Sequence, residues 1–389
     1  MKIIDNKSQW FITGILFFVF VTLSRGQENK IVSPDSSNDE IHIFHRHLSW
    51  EKDIEEIERK TKPTDASHYD IDVDLIPDST CVWTDMTVYW TNPIEKELYE
   101  FYLSVYPHRI YNSTEILIFE NLAEFRGINH DKIIPHSATP AIFNLSGIDS
   151  MFGSLPYEWV GEDKNYLKVI LDTPIKPGER FDISIRFRLD LPELLGRFCQ
   201  VDNEVFLNCW YPVVAEIDET GWKTELAPLW EKPAGNEFAS YDVFAILPPE
   251  YKFISTGNIV ETSKMENGSQ YLHIISNSAS YFSIISGKEY EVHEENIDGI
   301  NLKVYSLENG EKIFSSAKEA LEFFKDKYKI VNDDEIEIVE VPYKPYEFFS
   351  TGLILINTPS SEIPEVVEKY IDYSVYREME KYFSSQHPE

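Results

Sequence analysis

The sequence predicts a mainly β chain followed by an α+β portion. Three observations carry that expectation. From Tyr69 the apolar residues recur at every second position: in "YDIDVDL", Tyr69, Ile71, Val73 and Leu75 share one face and Asp70, Asp72 and Asp74 the other. Similar stretches recur as far as residue 290, divided by Pro- and Gly-bearing turns and with few windows of helical spacing. After residue 306 the period lengthens, and "NGEKIFSSAKEALEFFKDKY" sets Ile313, Ala317, Ala320, Leu321, Phe324 and Tyr328 at helical spacing.

The N-terminus reads as an export signal. Lys2 and Lys7 precede an apolar run from Trp10 to Leu23, and Ser24-Arg25-Gly26 supplies small residues for cleavage before Gln27. The run is short for a membrane span. Residues 1–26 are therefore expected to be a signal peptide and the rest secreted or extracytoplasmic. An uncleaved anchor over residues 10–23 is the alternative, and the only membrane contact expected. Residues 27–64 are polar and acidic, a linker with a short helix near 49–60. Within it, His42, His45 and His47 of "HIFHRH" are expected to be solvated histidines rather than metal ligands.

The β portion, residues 65–290, opens with the strand at 69–75. Further strands are predicted at 86–91, 99–104, 114–119, 166–171, 204–210, 241–247, 270–276 and 281–286. "FDISIRFRLD" repeats the alternation with Phe181, Ile183, Ile185, Phe187 and Leu189 inward. "PIKPGE" (Pro174 to Glu179) and "PPEY" (Pro248 to Tyr251) read as turns. The aromatics of "WTDMTVYW" and "CWYP" are expected in the core.

The second portion, residues 291–389, has a strand at 300–306, then the helix over 310–328. "EIEIVEVP" and "TGLILIN" follow as strands. A last helix has Ser360 or Ser361 as N-cap and Pro364 in its first turn. Its apolar stripe is Ile363, Val366, Val367, Tyr370, Ile371, Val375, Met379 and Tyr382. Arg377-Glu378-Met379-Glu380-Lys381 lies on this helix, and Glu378 and Lys381 stand at pairing distance, i and i+3.

With 67 acidic against 35 basic residues, a net charge of −32, the chain repels nucleic acid and anionic membranes and favours cationic partners. The three cysteines, Cys81, Cys199 and Cys209, form no C-x-x-C. Cys199 and Cys209 flank a hairpin-like stretch, and both a disulfide between them and buried free thiols are open. Neither G-x-S-x-G nor a P-loop occurs.

In order, these stretches resemble the aminopeptidase N family of zinc metallopeptidases, the gluzincins that include leukotriene hydrolase. "YDIDVDL…MTVYWTN" resembles the first strands of the family's saddle-shaped β domain. "LDTPIKPGERFDISIRFRLDLP" resembles its "L-x-x-P-L-x-P-G-E" turn and strand. "CWYPVVAEIDETGW" and "YDVFAILPPEYKFISTGN" are the most specific, with several rare residues in register. "EIVEVPYKPYEFFSTGLILI" resembles the lead-in to the catalytic domain, and "EKYIDYSVYREMEKYF" falls where the family has its H-E-x-x-H helix. The resemblance implies a saddle-like antiparallel β-sandwich domain followed by an incomplete thermolysin-like domain.

In that family two histidines one helical turn apart bind zinc, and the Glu between them is the general base for zinc-bound water. By position, the two ligands fall on Arg377 and Lys381, and the base falls on Glu378. Arg cannot ligate, and an ammonium has no free lone pair. The Glu that would capture a substrate amine falls on Phe349, with Glu347 two residues away. No third-ligand helix follows before Glu389. The expectation is thus an exported relative without an intact zinc site, with no cofactor, binding a peptide or a protein. A homodimer or a complementing subunit would cover its half-domain. One part of a split zinc aminopeptidase is the alternative, and an adhesion module a third.

Overall fold

The alternating stretches become strands because each closes one apolar face against a second layer while its polar face stays wet. The computed structural model describes residues 66–126, 129, 139–193, 196–225, 238–328, 335–341, 353–357 and 364–386. In chain order, β1 (His68–Ile76), β2 (Cys81–Thr91) and β3 (Leu98–Ser104) lead into helix α1 (Ser113–Arg126). Then come β4 (Ile142–Ser150), β5 (Gly153–Ser154), β6 (Tyr157–Val160), β7 (Tyr166–Ile175) and β8 (Arg180–Asp190). Short strands follow: β9 (Phe198–Val201), β10 (Glu204–Leu207), β11 (Val213–Val214), β12 (Ile217–Asp218) and β13 (Gly221–Trp222). Next are β14 (Ala239–Leu247), β15 (Lys252–Ser255), β16 (Asn258–Lys264), β17 (Gln270–Ala279) and β18 (Ile284–Gly287). The last stretch comprises β19 (Glu291–Ile297), β20 (Ile300–Ser306), α2 (Gly310–Tyr328), β21 (Glu335–Val341), β22 (Leu353–Asn357) and α3 (Pro364–Gln386).

The chain is mostly β, in several sheets. An eight-stranded sheet runs β16-β17-β14-β1-β2-β8-β4-β5, and two four-stranded sheets run β11-β3-β7-β6 and β15-β18-β10-β9. Pairing is antiparallel apart from β1 against β14, which run parallel and set Asp70 beside Asp242. The inner face of the large sheet (Ile71, Val73, Val88, Ile185, Val243, Ile274) buries against Phe101, Leu103, Leu167 and Val169 of β3 and β7. Trp90, Trp210 and Tyr211 lie in the same core, as expected, whereas Trp83 and Tyr89 alternate to the opposite face of β2, where they are half-buried beneath Arg188 and Arg180.

One predicted strand is a helix. The 114–119 run forms the start of α1, because a capping box outweighs its β-branched content. Asn112 Oδ1 accepts from the amides of Thr114 (2.9 Å) and Glu115 (3.0 Å), and Glu115 Oε2 accepts from the Asn112 amide (2.9 Å). Ten further strands, β4, β5, β6, β9, β11, β12, β13, β15, β16 and β19, were not anticipated. β16 and β19 are largely exposed and lack a sustained apolar face to announce them.

Both expected turns form. In "PIKPGE" the Glu179 amide donates to Lys176 O, and Gly178 sits at φ 68°. In "PPEY" the Tyr251 amide donates to Pro248 O. Gly257 of "STGN" adopts φ 103°, and a Cβ there would lie 2.7 Å from Ile275 O, so both the backbone angle and the close strand require glycine.

The second sheet, β19-β20-β21-β22, pairs β19 antiparallel and the rest parallel. Parallel strands are buried on both faces, which explains the near-continuous apolar runs "EIEIVEV" and "LILIN". One face (Leu302, Val304, Ile336, Ile338, Ile354, Ile356) takes α2 through Ile313, Ala317, Ala320, Leu321 and Phe324, and α3 through Ile371, Val375 and Met379. The other face (Tyr305, Val339, Val341, Leu353, Leu355) packs on Cys199, Phe206, Ile254, Ile285 and Tyr290 of the β portion. Glu340, 1% exposed, holds the start of α2: its Oε2 accepts from the amides of Leu307, Glu308 and Asn309 at 2.8, 3.0 and 3.1 Å.

All three cysteines are free and buried. Cys199 belongs to the core between β10 and the second sheet, and Cys209 to the core under the large sheet. The two sulfurs therefore face different cores across the β9–β10 ribbon. The expected signal peptide, anchor, linker, short helix and the histidines of "HIFHRH" lie outside the described residues. Among the described residues no helix is long and apolar enough to cross a membrane.

Candidate functional site

The carboxyl-terminal position is built from α3 upward. Pro364 opens the helix, where its missing N–H costs nothing. Ile371, Val375 and Met379 recur every four residues and are fully buried against α2 and the second sheet. Each such burial stabilises by roughly 1.5–3 kcal/mol, so the rotation of α3 about its axis is fixed by packing. That rotation sets Glu378, beside Met379, at the rim of the core with its side chain 11% exposed, and Arg377 further out at 40%.

The two neighbours close on each other. Arg377 Nη2 lies 2.6 Å and Nε 2.9 Å from the same oxygen, Glu378 Oε1. The guanidinium also stands 5.5 Å over the ring of Tyr373, one turn back. Burial alone would lower the Arg377 pKa, but the hydrogen bond and charge of Glu378 outweigh it and raise the group above its ordinary value. Arg377 is thus a fixed cation held against the Glu378 carboxylate.

These residues do not fit a zinc ion. The cation at the first ligand position offers only donors, and its charge repels a dication. Among the described residues no group of three or more His, Cys, Asp or Glu is arranged to hold a metal. The side chain of Lys381, and Glu347 and Phe349 entirely, lie outside the described residues, as does the expected Glu378–Lys381 pair.

A second constellation joins residues that the sequence reading did not combine. It lies on the outer face of the large sheet. His68 and Asp70, two apart on β1, point the same way, and parallel pairing sets Ser240 of β14 beside His68. Ser240 Oγ is 2.7 Å from His68 Nδ1, and His68 Nε2 is 3.0 Å from Asp70 Oδ1. The Tyr89 hydroxyl donates to the other oxygen, Asp70 Oδ2, at 3.3 Å. Next to it, His273 Nε2 meets Asp242 Oδ1 at 2.6 Å, with the His273 ring stacked on Phe244 at 4.3 Å. The only sequence signal was the H-x-D of His68 and Asp70; Ser240 is 172 positions away.

No protein-family model matches this chain, and no curated protein matches it.

Proposed function

We propose that this protein is an exported, aminopeptidase-N-like binding protein whose α3 occupies the place of a zinc helix without binding zinc. On this reading the β portion corresponds to a saddle-like sandwich and the second sheet with its helices to part of a thermolysin-like domain. The observation that carries it is the Arg377–Glu378 clamp: Nη2 at 2.6 Å engages the carboxylate that zinc chemistry would need for water. The order of sequence motifs supplies the family likeness, and the clamp supplies the loss of peptidase chemistry.

The binding role rests on α2 and α3. Phe323 (60% exposed) and Tyr373 (61% exposed) lie on their outer surfaces, with Tyr376 between them at 6.3 Å from the Phe323 ring. Aromatic side chains of this kind anchor protein and peptide partners. The net charge of −32 favours a cationic one. The partner is a peptide or a protein, a second copy of this chain included.

Zinc content and turnover test the reading together. Purified protein equilibrated with zinc and desalted should retain far less than one zinc per chain, and should not release coumarin from aminoacyl-coumarins. Stoichiometric zinc with chelator-sensitive turnover would sink it and favour the split-aminopeptidase alternative.

A further inference from the structure

We infer that Ser240, His68 and Asp70 form a nucleophilic relay, and that Ser240 accepts acyl groups from small carboxylic esters carrying a cation. The relay is independent of α3 and does not rest on the proposed function.

Two distances and one chemical fact fix its polarity. A carboxylate only accepts, so Asp70 Oδ1 at 3.0 Å takes the proton on His68 Nε2. Nδ1 then carries the lone pair, and the neighbour 2.7 Å from it, Ser240 Oγ–H, donates to it. This is the arrangement in which a base activates a serine and a carboxylate orients the base. Tyr89 holds the second oxygen of Asp70.

The placement suits chemistry. His68 and Asp70 are each 8% exposed, whereas Ser240 is half-buried. The Ser240 amide donates to Ser67 O at 3.1 Å, so its backbone is held to β1. The β14–β17 ladder shifts register between Ala239 and Tyr241, at Ser240 itself. Such irregularities re-aim a side chain and recur beside active sites.

The step balances without a cofactor. Ser240 Oγ forms a bond to the ester carbonyl carbon, and its proton passes to His68 Nδ1. The adduct collapses by breaking the bond to the alcohol oxygen, which takes the proton from His68. Water, deprotonated by the same nitrogen, then releases the acid and restores the serine. The face carries Asp70, Asp72 and Asp74 on β1 and Asp242 opposite Asp70, a field that favours a cationic ester.

The test is covalent labelling of the full chain with a fluorophosphonate, with the adduct mapped by peptide mass spectrometry. Adduct should form on Ser240, vanish in Ser240→Ala, and form at least tenfold more slowly in His68→Gln and Asp70→Asn. His273→Gln changes a similarly placed histidine on the same face outside the relay, and should label at the unaltered rate. A Ser240 left unlabelled overturns the proposal; so does labelling that is indifferent to His68, or equally slowed by His273→Gln. Acetylcholine should be hydrolysed with higher kcat/KM than its uncharged isostere 3,3-dimethylbutyl acetate. Equal values would overturn the cationic specificity.

Discussion

Glu340 grips Asn309 twice. Its Oε2 accepts from the Asn309 backbone amide at 3.1 Å and its Oε1 from the Asn309 side-chain amide at 2.8 Å. Asn309 O in turn accepts the Ile313 amide, the first turn of α2. An acid near the end of a parallel strand therefore ties down the residues that lead into a helix and faces its positive end.

Glu340→Ala should therefore destabilise, by about 2 kcal/mol, because it leaves three part-buried amides of residues 307–309 without their acceptor. Glu340→Gln should cost less, since one amide oxygen still accepts. Urea denaturation followed by tryptophan fluorescence reads both. A loss under ~0.5 kcal/mol in the alanine variant would refute the capping role.

Glu204 predicts a pH dependence. It is 7% exposed and sits at the junction opposite Gly287. Burial first, then the charges of Asp202 and Glu289, raise its pKa from 4.5 to about 7. Below pH ~4.5 the carboxyl is protonated in folded and unfolded chains alike, and nothing is lost. Between there and pH ~7 the folded chain binds the extra proton, so stability falls as pH rises, by about 3 kcal/mol in all. Glu204→Gln should melt higher than the parent at pH 8 and equally at pH 4. Equal melting at both pH values would show that the acid ionises freely.

The capping box of α1 separates two effects. Asn112→Ala should cost about 1 kcal/mol, the usual worth of an N-cap. Glu115→Ala should cost more, about 3 kcal/mol, because Glu115 Oε1 also lies 2.6 Å from Nη2 of fully buried Arg109. Thermal melts of the two variants rank them, and the reverse order would contradict the assignment.

Periodicity made most of the fold legible. Tyr69, Ile71, Val73 and Leu75 alternate into the core, and Ile371, Val375 and Met379 follow one helical stripe, because burial selects residues by side-chain direction. Local patterns misled at 114–119, where the apolar content suggested a strand but Asn112 and Glu115 close a capping box. The sequence could also set Arg377 beside Glu378, with no histidine at position 377 or 381.

By itself, then, the sequence determined the alternation that makes this chain mostly β, and the placing of Arg377 beside Glu378 on its last helix. Only the tertiary structure decided that Arg377 and Glu378 face each other, that Glu340 caps α2 from another strand, and that Ser240 meets His68 across 172 residues. Pairing of distant strands and the rotation of a helix are set by what the whole core can bury. No local window of sequence contains that information.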